Sequence, residues 1–168
     1  MADKSFIVDD DIATLELTSS GMTGPEWFTY LSLHHHVGSG FEDFLNHEKF
    51  IVTDMRAYHV KILKGKLFEG YARCVEAVRS VGISRGLNYC EEEVGTLLRA
   101  RLSNSDIEKM GLHSILIMLK PMQDAWNDEI LMVVDRLGGL SWISKYQIGA
   151  QFPLTEGVGF AFLDAQDP

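Results

Sequence analysis

Asp54-Met55-Arg56-Ala57-Tyr58-His59-Val60-Lys61-Ile62-Leu63-Lys64-Gly65-Lys66-Leu67-Phe68-Glu69-Gly70-Tyr71-Ala72-Arg73-Cys74-Val75-Glu76-Ala77-Val78-Arg79-Ser80-Val81 is the longest periodic segment of the chain, and the architecture turns on how it is read. Met55, Tyr58, Ile62, Leu63, Leu67, Tyr71, Cys74, Val75 and Val78 recur mostly at intervals of three and four, the spacing that lines one face of a helix. Read this way the segment is one long helix, stopped by Gly82. Gly65 and Gly70 each cost about 1 kcal/mol relative to alanine inside a helix, so they predict close approach of a second helix.

Four stretches flanking this segment carry the pattern of a capping residue followed three positions later by glutamate. They are Thr23-Gly24-Pro25-Glu26, Ser39-Gly40-Phe41-Glu42, Asn88-Tyr89-Cys90-Glu91 and Ser105-Asp106-Ile107-Glu108. The cap accepts from a free N–H of the first turn while the glutamate reaches back, so each pattern predicts a helix start. Helices follow over Tyr89–Leu102, with Val94, Leu97, Leu98 and Leu102 inward, and over Asp106–Lys120, with Ile107, Met110, Ile115, Met118 and Leu119 inward. Pro121 ends or kinks the latter into a further helix over Met122–Leu137, Gly138-Gly139 stops it, and a short amphipathic turn spans Trp142 to Tyr146. Only the ends alternate like strands, at Ile12–Thr18 and Val158–Leu163, and these two can pair as a short ribbon. The expected fold is mainly α: a single domain of about six helices, as a bundle or an orthogonal array, preceded by a flexible acidic segment over residues 1–11.

A chain of 168 residues is long enough to close one core without staples. Fifteen basic against twenty-four acidic residues give a net charge of -9, which repels phosphate backbones and anionic lipid and steers basic partners inward. Nucleic acid and membrane are therefore excluded as expected partners. Cys74 and Cys90 lie in no C-x-x-C pair and read as reduced core thiols. No apolar stretch of signal-peptide length precedes Asp9-Asp10-Asp11, so a cytoplasmic address is expected.

Chemistry, if encoded at all, concentrates in Leu33-His34-His35-His36-Val37-Gly38-Ser39-Gly40-Phe41-Glu42-Asp43-Phe44-Leu45-Asn46-His47. A helix capped by Ser39 puts Asp43 and His47 at i and i+4 on one face, and the glycine turn folds His36 back over them. His36, Asp43 and His47 then form a candidate ligand set for a divalent metal, zinc, iron or manganese, with an open position for hydrolytic or oxygen chemistry or for sensing. The competing readings are histidines that complement the negative end of the first helix, or a pH-sensitive contact. No nucleophile elbow or phosphate loop occurs, the Glu91-Glu92-Glu93 run suits the positive end of a helix, and no catalytic residue is assigned.

Aromatic residues offer the other route to function. Trp27, Tyr30, Trp126 and Trp142 are candidate interaction residues, because tryptophan and tyrosine dominate binding hot spots. Negative charge, aromatics and the lack of a catalytic constellation favour a small protein that binds another protein, as an inhibitor, immunity factor or regulatory subunit. A homodimer through a spare apolar stripe fits the helical expectation. A further alternative is a pliant groove for a small apolar ligand, lined by Met110, Met118, Met122 and Met132.

Overall fold

The computed structural model describes residues 6–46, 50, 52, 54–149 and 154–165. Its strands are β1 (Ile7–Asp9), β2 (Ile12–Ser20), β3 (His36–Val37), β4 (Asp54–Lys64), β5 (Ser114–Ile117), β6 (Ile130–Leu137), β7 (Leu140–Gln147) and β8 (Val158–Leu163). They form one mixed sheet in the order β1-β2-β4-β8-β5-β6-β7-β3, parallel only at β5/β8 and β3/β7. The helices are α1 (Gly24–His34), α2 (Glu42–Leu45), α3 (Val75–Ser84), α4 (Glu92–Arg101) and α5 (Asn104–Lys109). The mainly helical expectation, bundle or orthogonal array, is overturned: this is an α/β protein built on a large sheet.

The segment that decides the fold is not one helix. It is β4, then two 3-10 turns at Gly65–Leu67 and Gly70–Ala72, then α3. Tyr58 and Ile62 are four residues apart, a separation that a helix face and a strand face both satisfy. Val60 decides between them: Tyr58, Val60 and Ile62 are fully buried while Ala57 and His59 are exposed, the period of two of a strand. Gly65 does mark a close approach, but of a loop: a Cβ there would lie 2.3 Å from the Thr155 carbonyl oxygen. At Gly70 the requirement is a turn with φ +52.

The C-terminal helices fail for a related reason. α5 ends at Lys109, Gly111 turns the chain at φ +77, and Ile115 to Leu119 run buried without interruption through and beyond β5. A strand covered on both faces reads as a continuous apolar run, which periodicity cannot separate from a buried helix. Met122–Leu137 likewise contains β6, and the expected turn at Trp142–Tyr146 lies within β7. Both end segments are strands, yet they do not pair: β4 lies between β2 and β8.

Of the four helix-start patterns, Thr23 and Glu26 form a reciprocal capping box at the head of α1. The fourth is displaced by two residues, with Ser103 and Asp106 capping α5. Ser39 caps nothing, since α2 starts after Phe41 without a side-chain cap. Asn88 pairs its backbone with Leu163 of β8, and α4 starts only after Glu91.

Register divides the core into two layers. Leu17, Leu15 and Ala13 of β2 oppose Tyr58, Val60 and Ile62 of β4, and this face continues through Ala161, Ile117 and Met132. α4 lies on it so closely that a Cβ on Gly95 would sit 2.5 Å from the Met132 sulfur. Leu63, Phe160 and Phe162 occupy the opposite face, where α3 closes down at Gly82 against the Phe162 ring and Phe68 meets Phe160 edge-on at 5.6 Å.

Candidate functional site

Residues 123–129 form a tight loop ahead of β6, closed at its base by a bridge between Gln123 and Glu129. Asp124 organises it from within. Its Oδ1 accepts the Trp126 N–H at 2.9 Å and the Asp128 N–H at 3.1 Å, while its own N–H donates to the Asp128 carbonyl at 3.0 Å. Asn127 completes the turn at φ 65, a conformation that asparagine tolerates better than most residues. Lys145 of β7 donates to Asp124 Oδ2 at 2.8 Å, and this hydrogen bond holds the Asp124 carboxyl below the usual aspartate range. Glu129 pairs with Arg79 of α3, which also donates to the Leu119 carbonyl, so the loop is tied to both β7 and α3.

At the tip of this braced loop Trp126 is 83% exposed. An indole presented on rigid backbone has no packing role of its own, which separates it from the other candidates. Trp27 is 2% exposed, a core residue with its ring edge against Tyr30 at 5.8 Å. Tyr30 is half-buried against His34. Trp142 lies half-buried on β7, stacked on His36 at 4.9 Å. Only Trp126 of the four stands clear of the body.

The histidine stretch divides. α1 ends at His34, and the His35 N–H donates to the Leu31 carbonyl. The His36 imidazole is engaged with Trp142, whereas Asp43 on α2 faces Lys145 at 4.0 Å. α2 stops at Leu45, so the continuous helix that would align Asp43 with position 47 does not form; His47 itself lies outside the described residues. Among the described residues no group of three histidine, cysteine or acidic side chains is placed to hold a metal ion, and His36 and Asp43 are engaged with different partners. Met110, Met118, Met122 and Met132 are buried and fill the core. Cys90 is buried with its thiol pushed up by desolvation, but Cys74, expected inside, is exposed.

The structure adds two polar clusters that composition and spacing did not single out. Glu93 on α4 is 2% exposed and accepts from Ser19 Oγ at 2.8 Å and from the Tyr58 hydroxyl at 3.0 Å. The same hydroxyl lies 3.2 Å from Glu91, which Arg56 pairs at 2.6 Å. Tyr58→Phe removes a donor from a buried carboxylate and is expected to lower the unfolding free energy by about 1–3 kcal/mol, read from the urea midpoint. An unchanged midpoint would show that Glu93 does not need this hydroxyl.

The second cluster surrounds His35, whose Nδ1 lies 2.9 Å from Ser141 Oγ. Burial, then the Arg99 charge, then His34 hold its pKa down at about 4 against an ordinary 6.5. As pH falls the unfolded chain takes up this proton first, so the stability linked to His35 is complete above about 6.5 and lost on the way to about 4. Denaturation across that window should show stability rising with pH, with a smaller slope in His35→Gln. An NMR midpoint for the imidazole near 6.5 contradicts the assignment.

No known family model, curated protein or solved structure matches this chain. The fold and the presented side chain together define a mixed-sheet α/β protein with an aromatic side chain projecting from a hydrogen-bonded loop. No helix among the described residues is long and apolar enough to cross a membrane.

Proposed function

We propose that this is a cytoplasmic binding protein that docks on a basic partner protein through the Trp126 loop, in the role of an inhibitor, immunity factor or regulatory subunit. The observation that carries the reading is the 83% exposure of Trp126 on a loop whose backbone is already fixed by Asp124. Burying an indole in a partner's pocket removes roughly 150–250 Å² of side chain from water, and a pre-ordered loop loses little entropy in doing so. At the loop base Lys145 and Arg79 offset part of the charge of Asp43, Asp124 and Glu129, so the summed charge of -9 is what favours a cationic approach.

The test begins with the partner, recovered from extracts of the native cell, identified and purified, and titrated calorimetrically. Trp126→Ala is expected to weaken binding by about 30-fold or more, whereas Ile83→Ala, an exposed apolar residue on α3, leaves it unchanged. Raising salt from about 50 to about 300 mM is expected to slow association. Equal affinity of the wild type and Trp126→Ala overturns the reading.

A further inference from the structure

We propose that Thr155, His113, Ser114 and Asp135 form a hydrolytic site in which Thr155 is the nucleophile toward a small, unhindered carboxylic ester. His113 Nε2 lies 2.9 Å from Thr155 Oγ1, and its Nδ1 lies 2.7 Å from Ser114 Oγ. Ser114 stands directly opposite Asp135 across the β5/β6 pair, and its hydroxyl is hydrogen-bonded to the Asp135 carboxylate. The four side chains come from the entry to β5, from late in β6 and from the turn ahead of β8, which the sheet brings together. They lie toward the opposite end of β6 from the Trp126 loop, so the site does not depend on the docking reading.

The order of the protons follows from the one group that cannot donate. A carboxylate only accepts, so the Ser114 O–H points at Asp135. The Ser114 oxygen then accepts from His113 Nδ1–H, which leaves the Nε2 lone pair to accept the Thr155 O–H. Each bond selects the next, and the neutral tautomer that results is the one a general base needs. Burial raises the Asp135 carboxyl above the ordinary aspartate range, against the pull of Ser114, His113 and Arg99, and a more basic carboxylate is a stronger acceptor. His113 is therefore the base, while Ser114 and Asp135 position it.

The imidazole is both held and reachable. The His113 N–H donates to the Gly157 carbonyl at 2.8 Å, and its own carbonyl accepts from Arg136 at 3.0 Å. The ring lies so close to Gly157 that a Cβ there would sit 2.5 Å from His113 Cδ2. His113 and Thr155 are exposed, so an ester meets them without any opening of the fold, and this open setting suits a small acyl group. The Thr155 carbonyl accepts the Val158 N–H at 3.1 Å, closing a turn whose central residues are Glu156 and Gly157. Among the described residues the N–H groups of these two donate to no carbonyl, and that of Glu156, directly after the nucleophile, is the donor nearest in the chain for a developing oxyanion. In the reaction Thr155 Oγ1 passes its proton to His113 Nε2 and bonds to the ester carbonyl carbon. The ester C–O bond breaks, and the leaving alcohol takes that proton. Water then gives a proton to Nε2 and attacks the acyl carbon, the bond to Thr155 breaks, and its oxygen recovers the proton as the carboxylic acid leaves.

The probe is p-nitrophenyl acetate, given to the full chain. Hydrolysis should pass through an acetyl group on Thr155, captured by acid quench and located by peptide mass spectrometry. Thr155→Val keeps the exposed imidazole and should still lower kcat/KM by at least about tenfold, as should His113→Gln, while Thr155→Ser retains activity. Ser114→Ala should lower kcat by about tenfold at an unchanged KM, the mark of a base that is present but poorly aimed. Equal hydrolysis by the wild type and Thr155→Val would mean that imidazole acts alone and overturns the site. So does an acetyl group found on histidine or lysine and not on Thr155, or a wild type no faster than buffer. Full kcat in Ser114→Ala overturns the positioning role of Ser114 and Asp135.

Discussion

Phe162→Ala is expected to lower the unfolding free energy by about 3–5 kcal/mol, a large share of the roughly 5–15 kcal/mol that holds an ordinary domain together. Phe162 is fully buried on β8, with its ring pressed onto the backbone of α3 at Gly82. Truncation removes the transfer free energy of the ring and leaves a cavity that neither wall readily fills. β8 is hydrogen-bonded to β4 and β5 on its two sides, and α3 is held by the Arg79–Glu129 pair. Urea unfolding measures the effect, and a shifted midpoint with an unchanged slope identifies lost packing. Phe162→Leu, which retains much of the volume, should cost less than half as much. A loss below about 1 kcal/mol for the alanine variant would mean that α3 does not rest on this ring.

Trp126→Ala has the opposite profile. The side chain touches little of the body, and the loop's hydrogen bonds come from the Asp124 carboxylate to backbone N–H groups that alanine also carries. Stability should therefore change by no more than about 0.5 kcal/mol while partner binding falls by about 2 kcal/mol or more. The lost affinity belongs in the dissociation rate, since the indole acts after encounter, whereas charge governs approach. Tryptophan fluorescence adds a direct readout: complex formation should move Trp126 emission to the blue, a change absent from the alanine variant. A variant that unfolds more easily yet binds normally would reverse both expectations.

Much of the core was legible in residues and little of the topology was. Val94, Leu97, Leu98 and Leu102 are all buried as their spacing requires, but Glu93, Thr96 and Arg99 of α4 are buried too, which its helical period does not announce. Ile12 opens a strand whose burial alternates as its sequence does, and Val158 opens one that is buried at every position. Around β4, β5 and β6, burial and spacing are compatible with both periods, and the choice is made by long-range strand pairing that local patterns do not contain. The helix-start patterns show the limit of short signals. Thr23 succeeds because nothing else competes for it, whereas Asn88 is taken by Leu163, seventy-five positions away.

At the candidate site, sequence named Trp126 but gave it the same standing as Trp27. What separates them is whether the backbone around the ring folds over it or beneath it, and that depends on Asp124 capturing two N–H groups. Glu93 was read as a complement to a helix dipole, which its position at the head of α4 supports. Its burial follows instead from β2 and β4 bringing Ser19 and Tyr58 to the same point.

The place of β8 in the strand order has a consequence for biosynthesis. During translation it leaves the ribosome after the other seven strands, yet among the described residues it is the one strand that links the β1-β2-β4 half of the sheet to the β5-β6-β7-β3 half. Any half-sheets formed before it arrives would have bare inner edges at β4 and β5, each a template for pairing with a neighbouring copy. Insertion of a single late strand thus zips the protein shut, and the interval before it is when chaperone protection matters most.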